Sequence, residues 1–269
     1  NAGDKKAFLN VGGNIGALTS GGSDITNAVN GEYKINLKWD YINGYTATVT
    51  KTGDYNPPTF PDSLFISGEA STYGWATPGT NKDAAFHKCA SLEGVYWKIC
   101  YIDANKGFKF AAASPTGGWG TPNIGFADVN QFDANGETVS DDGGNMKISN
   151  AGMKMIVVDL RNSQIKVSIV NPQVYAMGNA FGGWTEQNAA NLFTVNNTAK
   201  TLTSPAATTT DDMRIYTYHP WIDAWWKAEF KVKDGKILYR NDGGDLEAVN
   251  VNAGQTITLT FDNNTGSVQ

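Results

Sequence analysis

Polar and apolar residues alternate along much of this chain in short runs, and Gly, Asn and Asp punctuate the runs. A period of two predicts strands, and almost no stretch carries the 3.6-residue period of a helix. The clearest predicted strands are 64–68, 95–102, 108–112 and 215–218. The 95–102 run is rich in aromatic and β-branched residues, which places Trp97 in a core.

Three segments repeat one order of landmarks. The first runs Gly21-Gly22-Ser23-Asp24-Ile25, Asn30-Gly31, then Tyr33-Lys34-Ile35-Asn36-Leu37. The second runs Gly143-Gly144-Asn145-Met146, Ala151-Gly152, then the strand pattern 155–160. The third runs Gly243-Gly244-Asp245-Leu246, Ala253-Gly254, then 256–261. Each reads as the closing hairpin of a β unit, and recurrence of this kind marks tandem modules. The opening half appears twice: Leu64-Phe65-Ile66-Ser67-Gly68 leads to Gly74-Trp75, and Val174-Tyr175-Ala176-Met177-Gly178 leads to Gly183-Trp184. The expected domains are therefore 59–171 and 172–269, with 1–56 the second half of a further unit. Pro57-Pro58 and Asn171-Pro172 mark the junctions, and their shortness predicts a fixed or semi-rigid relation between modules.

Composition narrows the architecture. Glycine is abundant at 30 residues, aromatics reach 12% and charged residues only 17%. Modules near 100 residues with short strands and frequent turns predict an all-β chain of immunoglobulin-like β-sandwiches. The net charge is −5, and Lys and Arg are scattered singly, which argues against nucleic acid. No apolar run approaches the ~20 residues of a membrane-spanning helix. Cys89 and Cys100 flank a predicted turn at 91–94. A register that sets them opposite one another would allow a disulfide; the other reading is two buried thiols.

The candidate chemistry is a doubled tryptophan–cation–tryptophan order. One copy is Trp75, Lys109 and Trp119, with Tyr73 on the same loop as Trp75. The other is Trp184, Arg214 and the cluster Trp221, Trp225, Trp226, with Tyr216, Tyr218 and Arg240 as lesser candidates. Flat aromatic faces suit the apolar C–H faces of a sugar ring, and a cationic donor suits its hydroxyls. Trp75 and Trp119 lie among glycines, a setting expected of exposed loops. On an extended chain Trp225 and Trp226 point to opposite sides, so at least one is expected to be exposed. The plainer readings are that Trp75 packs under its loop, that Lys109 is a solvated strand residue, and that 221–226 is a patch for another protein.

Catalytic patterns are weak. His87 and His219 fall in different modules without metal-ligand spacing, and no Gly-x-Ser-x-Gly elbow is present. Glu69, Asp128, Glu186 and Asp223 form no evident glycosidase pair. The acidic turns at 141–145 and 241–245 read as turns rather than calcium sites. No enzyme activity and no cofactor are expected.

The motifs Leu64-Phe65-Ile66-Ser67-Gly68 with Gly74-Trp75, Gly107-Phe108-Lys109-Phe110, and Gly178 with Gly183-Trp184 resemble the SusE/SusF family of starch-binding outer-membrane lipoproteins of Bacteroidetes. The resemblance covers most of 60–269, while 1–56 matches by its closing hairpin alone. The order of motifs is also similar to starch-binding modules appended to amylases, with Trp75, Lys109 and Trp119 at the positions of one α-glucan site. Arg214 in place of lysine and the longer aromatic insert at 219–226 depart from that pattern. The resemblance implies tandem carbohydrate-binding modules, non-catalytic, lipid-anchored at the cell surface by a cysteine preceding Asn1. It further implies association with an outer-membrane porin and a partner lipoprotein in polysaccharide import. The rival classes are a protein-interaction scaffold of such a complex and an accessory region of a glycoside hydrolase. Residues 1–56 lack the aromatic pattern and are not expected to bind sugar.

Overall fold

The computed structural model describes residues 11–14, 17–20, 31–41, 44–54, 58–241 and 243–269. Two compact units emerge, Asn1–Thr59 and Phe60–Gln269. In the first, Val11–Asn14 pairs with Ala17–Ser20, and Glu32–Asp40 pairs with Gly44–Gly53, both antiparallel. The latter is the expected hairpin; its Gly21-to-Asn30 landmarks lie outside the described residues.

The second unit holds two sandwiches. In the first, one sheet runs in the order Gln131–Asp133, Lys166–Val170, Gly152–Asp159, Val95–Ile102, His87–Lys88. The facing sheet runs Val139–Asp142, Asn145–Ile148, Phe108–Ala113, Leu64–Gly68, with Trp119–Ile124 also paired to Phe108–Ala113. In the second sandwich one nine-stranded sheet runs through both layers: Val174–Met177, Asp211–Thr217, Glu229–Lys233 and Lys236–Tyr239 form one layer, with Val249–Val251 also paired to Asp211–Thr217. Thr265–Val268, Ile257–Thr260, Thr201–Thr203 and Thr194–Asn196 form the other. The single pair Lys236–Thr265 joins the two layers. The chain is therefore all-β, as its period-two pattern predicts, and the only helical pieces among the described residues are short 3-10 turns.

The strand Val95–Ile102 shows why the second unit holds together. Its side chains alternate between two cores. Tyr96, Cys100 and Ile102 join the interior of the first sandwich, with Leu64, Phe108, Phe110 and Ile156. Val95, Trp97 and Ile99 face the other way, into a core that also contains Phe230, Ile257, Leu259 and Phe261 of the second sandwich. Met153, Met155 and Val157 on Gly152–Asp159 do the same. A sheet buried on both faces reads as a continuous apolar run rather than a strict alternation. Each such side chain, fully buried, contributes about 1.5–3 kcal/mol. Polar ties add direction: the Tyr101 N–H donates to Asp262 Oδ1 (2.9 Å), the Met153 N–H to Asn197 Oδ1 (2.8 Å), and Asn264 Nδ2 to Asp83 Oδ1 (2.8 Å).

The cysteines are free and buried. The register sets His87 opposite Trp97 and Lys88 opposite Tyr96, and the Cys89 N–H donates to the Val95 carbonyl. Cys89 therefore meets the near end of the neighbouring strand, not Cys100. The two thiols occupy different cores, and burial pushes each up to about 12.

Candidate functional site

The two sandwiches place one constellation in the same register. Ser67 lies opposite Lys109, and Met177 lies opposite Arg214. The next residue along the chain is a glycine, Gly68 or Gly178, which bridges back to a second glycine, Gly74 or Gly183. The tryptophan follows at once: Trp75 in one module, Trp184 in the other. The Gly68 N–H donates to the Gly74 carbonyl at 2.9 Å, and the Gly178 N–H to the Gly183 carbonyl at 2.8 Å. Both first glycines have positive φ, 153° and 120°. A side chain there would collide with the backbone of the cation-bearing strand, at Phe108 or at Asp212 and Met213. Close approach of the loop to that strand thus requires glycine, and it brings each tryptophan to the cation's end of the sheet.

In the first module the tryptophans are exposed, Trp75 by 48% and Trp119 by 39%. The Ser67 hydroxyl donates to the Ala76 carbonyl at 2.9 Å, which pins the loop of Trp75 from the strand position opposite Lys109. Lys109 Nζ sits over the Trp119 ring, 4.8 Å from its centroid, a cation–π contact. Trp119 is not in a loop as its glycine neighbours suggest: it opens the edge strand Trp119–Ile124, opposite Ala113. Trp75 is likewise not packed under its loop.

In the second module Trp184, Arg214, Trp225, Trp226, Arg240 and Asp245 line an open cleft of about 340 Å³. Trp184 is 49% exposed, close to the value at Trp75. Trp225 and Trp226 lie on a 3-10 turn, Trp225–Ala228, so the alternation expected of an extended chain does not apply and both are half-buried in the cleft wall. Trp225 rests on Tyr216, centroids 6.0 Å apart. The guanidinium of Arg240 stacks over Trp226 at 4.9 Å. The Tyr216 hydroxyl accepts from the Gln187 N–H at 2.7 Å, holding the loop beyond Trp184.

Arg214 is already engaged. Its Nη1 donates to Glu229 Oε1 (2.6 Å) and Asp245 Oδ1 (3.0 Å), and its Nη2 to Asp245 Oδ2 (3.3 Å). Arg240 Nη1 donates to Glu229 Oε2 and Asp245 Oδ1, both at 3.0 Å. Glu229 is buried, whereas Asp245 is largely exposed. The hydrogen bonds to Arg214 hold the Asp245 carboxyl below its usual range. Most of the Arg214 donors expected to meet sugar hydroxyls are thus spent on carboxylates, leaving one Nη2–H and the Nε–H free of them. Tyr216 pairs with Glu229 in the register, and the matching pair in the first module is Ala111 with Asn123. An exposed amide stands there in place of the buried carboxylate, and among the described residues Lys109 has no carboxylate in ion-pair reach.

Two expected residues are set apart. Tyr73 turns inward: its ring lies under the buried Lys98, 5.0 Å from Nζ, and its hydroxyl is buried with no hydrogen-bond partner among the described residues. It packs on the first core because the loop hydrogen bonds point Trp75 outward and the residue before Gly74 inward. Trp221 packs against the shared core, edge-on to His219 at 5.2 Å, because the His219 ring accepts the Trp221 N–H and folds the segment back. Glu229 and Asp245 were not anticipated. The Gly243-Gly244-Asp245 landmark was the available signal, but a turn motif does not reveal which cation it reaches.

Hydrolytic machinery finds no assembled geometry at His219. Its Nε2 lies 2.9 Å from Ser168 Oγ, yet its Nδ1 accepts the Trp221 N–H rather than facing a carboxylate, and Ser168 is fully buried. Burial lowers His219 to about 4. Asp128 caps the Gly125 N–H and Asp223 pairs with Lys227, so two of the four carboxylates considered have structural partners.

The family described as SusF/SusE starch specific CBMs (carbohydrate-binding modules) matches residues 63–166 and 173–267. Outer membrane protein SusF of Bacteroides thetaiotaomicron is 35% identical over 266 residues, 96% of this chain and 52% of that protein. The crystal structure of SusF from the same organism superposes with a TM-score of 0.70 at 32% identity, covering 87% of this chain and 52% of that one. The chain thus spans about half the length of these relatives. With two module matches in tandem over a shared fold, the chain belongs to the SusF/SusE family of starch-specific carbohydrate-binding modules.

Proposed function

We propose that this chain binds polysaccharide, an α-glucan first, without catalysis, through two aromatic platforms on one compact unit. The observation that carries the reading is the repeated register: a glycine-bridged tryptophan beside a cation, with a second tryptophan platform, in both sandwiches. The sites are Trp75, Lys109 and Trp119 in one, and Trp184, Arg214, Trp225 and Trp226 in the other, with Asp245 and Arg240 at the rim. Two weak sites held at a fixed distance on one polymer gain ~10²–10⁴-fold over one, where the polymer reaches both. The name of the SusF relative supports placement at the outer membrane; a lipid anchor, surface exposure, and association with a porin and a partner lipoprotein are part of the reading. Affinity electrophoresis in starch, pullulan, levan and xylan gels tests it. Retardation in starch and pullulan is expected, and unretarded migration in all four would overturn the reading.

A further inference from the structure

A second cleft, of about 540 Å³, opens where the two sandwiches meet and shares no residue with either platform. Asp133, Asn135 and Asn171 come from the first module and its junction; Gln173, Tyr218 and Pro220 come from the second. The volume falls within the roughly 300–1,000 Å³ of small-molecule sites. No lysine or arginine lines it, so nothing there neutralises an anion. Its single carboxylate belongs to no three-ligand metal cluster among the described residues. The side-chain amides of Asn135, Asn171 and Gln173 each donate and accept, which matches hydroxyls that do the same. Tyr218 and Pro220 add flat apolar surface for C–H faces.

The walls are built in advance. The Gln173 carbonyl accepts from both the Tyr218 N–H (2.8 Å) and the Thr217 hydroxyl (3.1 Å). In the cleft wall, His219 Nε2 meets the buried Ser168 Oγ, and Ser168 Oγ lies 3.5 Å from Asp133 Oδ2. With Nδ1 accepting the Trp221 N–H, the neutral ring donates from Nε2, and the serine hydrogen points to Asp133. That relay crosses from one module to the other and leaves the second Asp133 oxygen as an acceptor. Tyr218 packs on the same Tyr175–Met177–Tyr216 cluster as Trp225, so the junction cleft adjoins the base of the second platform.

We infer that the junction cleft is a third saccharide site, taking one or two rings of a neutral sugar, and that it exists only because the modules are fused. Titration of the 15N-labelled full chain with maltose tests it. Expected are saturable shifts of the Gln173 and Tyr218 amides and of the Asn135, Asn171 and Gln173 side-chain amides, with an isotherm distinct from that of the Trp184 and Trp226 indoles. Asn171 and Gln173 are exposed, so Asn171→Ala/Gln173→Ala preserves the fold and is expected to weaken the junction isotherm at least tenfold while the indoles still respond. Indole shifts with silent junction amides would overturn the inference and leave the platforms standing. Junction shifts unchanged in the double variant would also overturn it. Silent indoles with responsive junction amides would instead count against the platform reading alone.

Discussion

Arg214 donates to the buried carboxylate of Glu229 at 2.6 Å, so the cation of the second cleft is fixed before any ligand arrives. Among the described residues Lys109, its counterpart by register, is held against the face of Trp119 and by no carboxylate. One fold thus carries a braced cation and an unbraced one, and the substitutions that disturb them differ.

Removing Glu229 leaves two guanidiniums beside a buried void. Glu229→Ala is expected to destabilise the unit by about 3–5 kcal/mol, the usual result of breaking a buried pair, read as a lowered midpoint in urea. Glu229→Gln is expected to lose less, because the amide still accepts.

Arg214→Lys is not conservative here. A single ammonium cannot span Glu229 and both oxygens of Asp245. Weaker starch binding and a lower melting temperature are expected together. In the first module Lys109→Met is expected to weaken binding while the melting temperature stays within a few degrees, since the half-buried Lys109 has no ion pair among the described residues and methionine keeps most of its aliphatic stem.

Trp119→Ala and Trp97→Ala separate platform from core. Trp119 is 39% exposed and Trp97 is 1% exposed. Losing the first removes a stacking face of about 1–2 kcal/mol, roughly five- to thirtyfold in affinity, and leaves the second site intact. Losing the second is expected to cost about 3–5 kcal/mol of stability. Calorimetry of the parent is expected to show Phe60–Gln269 melting in one transition, because Trp97 contributes to a core shared by both sandwiches.

Acid is expected to weaken the fold through His219. Burial lowers its folded pKa to about 4, against 6.5 for the free side chain. The unfolded chain therefore binds the extra proton first, so stability is full above pH 6.5 and falls as pH drops toward 4. His87, also lowered by burial and by Lys98, acts in the same direction. His219→Gln is expected to flatten part of the decline between those values; an identical slope in parent and variant would remove His219 as its cause.

Much of this was legible in the residues. Period-two patterning around Leu64–Gly68, Val95–Ile102 and Phe108–Ala113 determined an all-β chain, because only pleated strands turn alternate side chains to opposite faces. The glycine-tryptophan pairs at 74–75 and 183–184 marked both loops, and the close approach that glycine alone tolerates lies at the partners they bridge to, Gly68 and Gly178. What lay beyond reach depended on partners distant in sequence. Tyr73 and Trp221 looked like neighbours of the platforms and pack inward. Trp225 and Trp226 share one cleft because a 3-10 turn replaces the extended segment.

The sequence by itself determined the strand type, the tandem repeat and the aromatic chemistry, since these follow from local spacing and residue type. The tertiary structure alone decided that one sheet serves two cores, that Cys89 meets Val95, that Glu229 and Asp245 brace Arg214, and that a polar cleft forms where the modules join. Each is a contact between segments far apart in the chain, and its geometry follows from packing, which spacing along the sequence does not encode.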